Sequence, residues 1–314
     1  MQRREFVFGA GMASALATMG WSVAPAGAKG LVAARRYSVG SATVHVLSDG
    51  FFPLAPEMLN GVTPDEFASL LEQAHIAGDM HPTAVNAFLI ETGDRTILVD
   101  TGTASLFGPT LGQLPSVMEA LGVDPASIDT VVFTHMHGDH IGGTVVESGN
   151  PFSNATLHVA SADVDFWTSE DIQAQAPDDF KSFFDLARAS LATFGERVET
   201  FGTGEEPLAP GLTTIPLPGH TVGHTGLMLE SDGDALMIVA DLIHAPAVQL
   251  AMPGVTIGFD TDQDMARETR LKTMDMAATD GMLVAGSHIA LPGIGYLETS
   301  GEGYRWTPAR HQYG

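Results

Sequence analysis

Four potential metal ligands, His135, His137, Asp139 and His140, fall within six residues in the stretch Thr134-His135-Met136-His137-Gly138-Asp139-His140-Ile141-Gly142-Gly143, directly after the apolar run Thr130 to Phe133. A strand that ends at Phe133 sends His135 and His137, two residues apart, to the same side of the emerging chain, with Asp139 and His140 on the opening turn of the next element. Imidazole nitrogens and a carboxylate suit zinc and related divalent ions, and four such groups packed together repel one another unless something cationic holds them. A polar loop with three chance histidines is the plain alternative. The density of ligands at a strand end weighs against it.

The rest of the composition narrows the partners. With 38 acidic residues against 14 basic ones and a net charge of −24, the surface repels phosphate backbones and anionic lipid, which excludes nucleic acid as a partner. There are no cysteines, so neither a disulfide framework nor thiolate ligation is available. At the N-terminus, Arg3-Arg4-Glu5-Phe6 precedes an apolar, small-residue run from Val7 to Val23 and then Ala26-Gly27-Ala28. Paired arginines before a mild hydrophobic segment read as a twin-arginine export signal over residues 1–28, cleaved after Ala28, which implies a periplasmic or exported protein with no membrane anchor left. A membrane anchor or a buried helix is the alternative, and the run is marginal for a full span.

Along residues 29–314, read as a single domain, strand and helix patterns alternate. A strand is expected from Tyr37 to Ser48 with Asp49-Gly50 as its turn. A capping box at Thr63-Pro64-Asp65-Glu66 opens an amphipathic helix. Strands at Val85 to Glu91 and Thr96 to Asp100 make a hairpin, a helix comes next at Pro115 to Leu121, and Thr130 to Phe133 is the strand that carries the dense motif. Further on come a strand at Ala155 to Ala160, helices at Ala162 to Ser169 and Phe184 to Phe194 around a polar, aromatic-bearing stretch from Gln173 to Phe183, and strands at Leu212 to Leu217, Thr225 to Glu230 and Ala235 to Ala240. A long helix from Asp262 to Ala278 and a strand at Met282 to Ala285 complete the pattern.

Three polar clusters recur at strand ends in the second half: Pro218-Gly219-His220-Thr221-Val222-Gly223-His224, Ala240-Asp241, and Gly286-Ser287-His288. Strands whose ends share one edge would bring these loops to the first motif. In this order the motifs resemble those of metallo-β-lactamase-fold hydrolases. Within that superfamily the chain looks similar to methyl parathion hydrolase and its lactonase-like relatives, through Leu106-Phe107-Gly108-Pro109-Thr110-Leu111-Gly112, Ala176-Pro177-Asp178-Asp179, Asp241-Leu242-Ile243-His244, Ser287-His288 with Pro292-Gly293-Ile294-Gly295, and Gly303-Tyr304-Arg305-Trp306. The resemblance implies an α+β fold, a four-layer αβ/βα sandwich with two metals at one edge. It assigns His135, His137 and His220 to one metal, Asp139, His140 and His288 to the other, and Asp241 as the bridge. It also implies a homodimer.

A carboxylate can span two cations while neutral imidazoles fill the remaining positions, so the donor set suits two divalent ions, zinc first, with manganese, iron and cobalt open. Such a pair would supply a metal-bridging hydroxide for attack on a small-molecule lactone, aryl ester or phosphotriester. Asp139 is a candidate proton carrier as well as a ligand. Asp100 reads either as a carboxylate that orients a ligand histidine or as a loop cap, and His224 as support for the site or strand-start packing. The resemblance puts Phe107, Trp167 and Phe183 at the mouth of the site as an aromatic pocket, with core packing as the alternative. His45, His75, His81, His158 and His311 lack a cluster and read as structural or surface residues. A lactone or aryl ester is the expected substrate, with phosphotriester cleavage as a side activity and a dedicated organophosphate triesterase as the alternative. Metal binding without turnover, and an oxygen-using iron enzyme, are the readings from other classes.

Overall fold

A computed structural model describes residues 33–93, 95–178, 180–310 and 312. The proposed signal segment and His311 lie outside the described residues. The first half runs β1 (Ala34–Val39), β2 (Ala42–Leu54), β3 (Leu59–Asn60), α1 (Pro64–Gln73), β4 (His81–Thr92), β5 (Arg95–Val99), α2 (Leu114–Leu121), β6 (Thr130–Val132), α3 (Gly138–Ile141), β7 (Thr156–Ala160), α4 (Ser161–Thr168), α5 (Glu170–Gln175), α6 (Lys181–Phe194) and β8 (Val198–Phe201). The second runs β9 (Pro207–Ala209), β10 (Leu212–Pro216), β11 (Thr225–Ser231), β12 (Asp234–Ile238), α7 (Pro246–Gln249), β13 (Thr256–Ile257), α8 (Gln263–Thr279), β14 (Leu283–Ala285), β15 (Ile294–Ser300) and β16 (Gly303–Pro308).

The strands form two seven-stranded mixed sheets, ordered β1-β2-β4-β5-β6-β7-β8 and β16-β15-β14-β12-β11-β10-β9, and β3 pairs with β13 separately. In the first sheet β5 to β8 run parallel and the strands before them antiparallel. In the second, β12 and β14 are the parallel pair. Alternation along β4 explains how the sheets stack. Phe88 and Ile90 face inward to meet Leu227, Leu229 and Ile238 of the second sheet, while Ala87 and Leu89 face outward to the cluster that includes Leu114, Val117, Phe166 and Phe184 of α2, α4 and α6. On the far side Met274 and Ala277 of α8 pack on Met237 and Val284. Helix, sheet, sheet, helix is the four-layer α+β sandwich expected. A strand covered on both faces reads as a nearly continuous apolar run, which is why the central strands are conspicuous in the sequence.

Several expectations are corrected. Asp49-Gly50 is not a turn: β2 continues through it with a bulge between Ser48 and Gly50, and the chain instead reverses at Gly40-Ser41, before β2 begins. Asp49 is retained inside the strand because its buried carboxylate accepts hydrogen bonds from the backbone of Thr103, Gly112 and Leu114 and from the Thr103 hydroxyl. The polar stretch from Gln173 begins inside a helix, α5, capped by the Ser169 side chain on Ile172 N–H. The capping box of α1 forms as expected, with Thr63 and Glu66 bonded reciprocally. Among the described residues no helix is long and apolar enough to cross a membrane.

Candidate metal centre

Each candidate ligand sits just past a strand end. β6 releases Thr134 to His140, the β10–β11 connection carries His220, Asp241 follows β12, and His288 follows β14. Two backbone positions shape these turns. Gly219 has φ +126°, and a Cβ there would stand 2.2 Å from the backbone nitrogen of Ala266 in α8, so only glycine lets this loop pack as it does. Ala240, immediately before Asp241, is held in the left-handed region at φ +46°, a strained conformation of the kind that surrounding structure must impose.

The loops converge. His135, His137, His220 and Asp241 form one cluster and Asp139, His140, His288 and Asp241 another, the donor atoms of each within 4.8 Å of one another. Asp241 is common to both: its Oδ2 lies 3.6 Å from His135 Nε2, 3.3 Å from His220 Nε2 and 2.8 Å from His288 Nε2, and its Oδ1 lies 3.2 Å from His140 Nε2. All seven candidates from the sequence are thus brought together, in the two groups expected.

The donor chemistry fits cations. His137 Nδ1 is 3.1 Å from His135 Nε2 and 2.9 Å from His220 Nε2, so three imidazole nitrogens crowd one point. His140 Nε2 and Asp241 Oδ1 are buried without a hydrogen-bond partner among the described residues, a costly state unless something else occupies them. Burial works against charge on His220, yet hydrogen bonds to Asp241 and Asp260 and their charge push it up to about 9. Burial likewise opposes charge on His140, but Asp241, Asp139 and Asp100 raise it well above the imidazole range. The carboxylates favour positive charge here, and bound metal ions would supply it in place of those protons.

Other residues hold the ligands in place. Asp100, at φ +61°, receives the His140 Nδ1–H at 2.8 Å and two bonds from Thr134, one of them from its backbone N–H, so it both fixes the His140 imidazole and ties down the loop. His224 donates from Nδ1 to the Leu217 carbonyl and accepts the Asp241 N–H at Nε2, 3.1 Å, so it supports the bridge from behind. Three supports do not stand out in the sequence. Asp260 takes the His220 Nδ1–H at 2.8 Å. Asp163, on α4, accepts from Met136 N–H, the Thr221 hydroxyl and Gly223 N–H, tying the first motif to the His220 loop. His244 is buried with both ring nitrogens unpartnered among the described residues, stacks on His288 and stands 3.2 Å from Asp241 Oδ2. It closes the Asp241-Leu242-Ile243-His244 stretch that carries the family resemblance, which assigns it no role; Asp163 and Asp260 have no signal, being lone carboxylates in unremarkable text.

A cavity open to solvent lies over the clusters. Phe107, Trp167 and Phe183 all line it, with Phe107 stacked on Phe183 at 6.3 Å and Trp167 edge-on to His137 at 5.5 Å. Of the five histidines set aside, His45 and His158 face Glu91 and Glu199, and His81 is buried against Thr83, none within the clusters.

A family profile described as the metallo-beta-lactamase superfamily matches residues 81–288, more than half of the chain. The chain belongs to that superfamily. An N-acyl homoserine lactonase from Bacillus sp is 25% identical over 220 residues, 63% of this chain and 79% of the relative. The N-acyl homoserine lactonase AiiB of Agrobacterium fabrum is 27% identical over 210 residues, 56% of this chain and 71% of its own. Among solved structures, the hydrolase AbOPH of the beta lactamase superfamily aligns with a TM-score of 0.85 and 28% identity over 91% of this chain and 100% of that one. AidC, a dizinc quorum-quenching lactonase, aligns at 0.82 over 89% of this chain and 98% of its own, and at 24% identity that likeness concerns the fold. With the fold, the donor set and these relatives in agreement, the chain is a metal-dependent hydrolase.

Proposed function

We propose that this enzyme opens small, uncharged lactones or cleaves aryl esters at a centre of two divalent ions, zinc foremost, held by His135, His137 and His220 on one side, Asp139, His140 and His288 on the other, and Asp241 between. The observation that carries the reading is an aromatic cavity set directly on this donor set, without a lysine or arginine in its lining. Bound there, the ions would polarise a carbonyl oxygen and bring the pKa of water toward neutrality. The protein's own groups do the rest. Asp100 and Asp260 fix imidazole orientation, Phe107, Trp167 and Phe183 exclude water and accept an apolar acyl or aryl group, and neutral His244, which burial lowers to about 4, offers a ring nitrogen to a polar atom of the substrate. Asp139 stands where a proton could be passed to a leaving alkoxide. The curated lactonase relatives support the lactone over other esters, and the resemblance to methyl parathion hydrolase adds phosphotriesters as a side activity. The twin-arginine pattern makes it a protein exported already folded.

The test is hydrolysis of dihydrocoumarin, an N-acyl homoserine lactone and methyl parathion by the zinc-loaded protein, with metal content measured on the same samples and His137→Ala as control. Lactone turnover exceeding phosphotriester turnover and abolished in the variant is the expected result. No lactone turnover with two ions bound per chain would overturn the substrate assignment.

A further inference from the structure

Arg270 is the one lysine or arginine that is buried among the described residues, at 1% exposure, and the largest side chain buried so completely. A guanidinium out of water is expensive unless its donors are met, and an apolar side chain of similar volume would commonly serve the core as well. Its donors are met by three segments at the rear of the metal centre. Nε donates to the Leu242 carbonyl at 2.6 Å, on the turn that carries Asp241; Nη1 donates to the Val255 carbonyl at 2.7 Å; Nη2 lies 3.9 Å from Asp260 Oδ2. Asp260 is further held by Ile257 N–H at 3.0 Å and takes the His220 Nδ1–H on its other oxygen.

The tethers of the two clusters differ. His140 is oriented by Asp100, and His288 by the Ala84 carbonyl at 2.7 Å, neither of which involves Arg270. The Asp241 turn has its own support in His224. His220 instead gives its Nδ1–H to Asp260, and Asp260 rests on the segment that Arg270 clamps. We infer that Arg270 is a positioning residue that sets metal affinity at the His135–His137–His220 half of the site selectively, acting through Asp260 and His220. The inference rests on the two-ion reading above. Loss of a partner that orients a ligand histidine typically weakens metal binding about 10- to 100-fold, and here the loss should fall on one half.

The experiment is cobalt(II) titration of the full chain stripped of metal, followed by visible absorption with a competing chelator, for the wild type, Arg270→Lys and Asp260→Asn. His220→Ala and His288→Ala provide the spectra of a centre lacking each half. Arg270→Lys keeps a charge but loses the planar fork. One cobalt should bind it as in the wild type and the second about 10- to 100-fold more weakly, the half-loaded spectrum matching that of His220→Ala. Asp260→Asn should give the same pattern, and it decides the matter should Arg270→Lys fail to fold. Equal weakening of both halves, as a general loosening would cause, or no weakening of either, overturns the role of Arg270. Fewer than two cobalt ions on the wild type overturns the two-ion reading itself.

Discussion

Asp163 illustrates how much a single carboxylate can organise. Buried on α4, it accepts three hydrogen bonds from two loops that are far apart in sequence. Burial raises its pKa to about 6, although hydrogen bonds from Thr221, Gly223 and Met136 pull the other way. A folded-state pKa above the unfolded value near 4 means that the native state holds this proton more tightly, so the group favours folding below pH 4 and loses that contribution as pH rises through 6. Asp163→Asn removes the titration. Denaturant unfolding of both proteins should therefore show the wild type losing ground to the variant between pH 4 and 6, by at most about 3 kcal/mol for a shift of roughly two units. A stability difference that stays constant across this range, or moves in the opposite direction, would contradict the assignment. Gly219 is a second such point: Gly219→Ala drives a Cβ into the Ala266 backbone at 2.2 Å in a region of φ that alanine avoids. It should lower the melting temperature and weaken metal binding together, since His220 is the next residue.

At the scale of elements, the connection between β5 and α2 both carries Phe107 and depends on Asp49 of β2. Asp49→Ala leaves the backbone N–H groups of Thr103, Gly112 and Leu114 without their acceptor, and the Thr103 hydroxyl with only the Ala104 carbonyl. Each buried unsatisfied donor costs about 1–3 kcal/mol before relaxation. The variant should be destabilised by several kcal/mol. Its KM for a hydrophobic lactone should rise about tenfold with kcat changed far less, because the aromatic wall is loosened while the metal ligands are untouched; steady-state kinetics separate the two parameters. A fall in kcat alone would place this loop in the chemistry rather than in binding. The same element marks the limit of what the sequence discloses. Asp49-Gly50 has the composition of a turn, and only the partner strand and the distant loop that needs its carboxylate keep it in β2. Strands with two covered faces, and the motifs at their ends, are legible because apolar runs and ligand density are local signals. The edge strands β8, β9 and β16, and β15 beside the last of them, are not, since half-exposed text such as Val198–Phe201 or Gly303–Pro308 lacks a strong period. The supports Asp163, Asp260 and Arg270 are invisible for another reason. Their roles exist only once α4, β13 and α8 are folded against the loops, and nothing local distinguishes them from surface charges.

For the whole molecule the governing quantity is charge. The sequence carries −24, and among the described residues the cavity lining contains Asp139, Asp241 and four histidines but no lysine or arginine. Two divalent ions would offset the carboxylates of the centre itself, leaving the surrounding surface to repel an approaching anion over about 10 Å at 0.1 M salt. A neutral lactone meets no such barrier. For a lactone bearing a terminal carboxylate, kcat/KM should increase several-fold as ionic strength rises from about 10 to 200 mM, whereas that of the uncharged analogue should stay within about twofold. The measurement is a salt series at fixed pH and saturating zinc with the two substrates in parallel. If kcat/KM of the anionic lactone falls with salt instead, the local field of the metal centre outweighs the surface, and selection among substrates would then rest on the aromatic walls alone. The predicted rise would mean that the acidic surface acts as a filter ahead of the aromatic cavity, favouring uncharged, apolar esters over anionic ones.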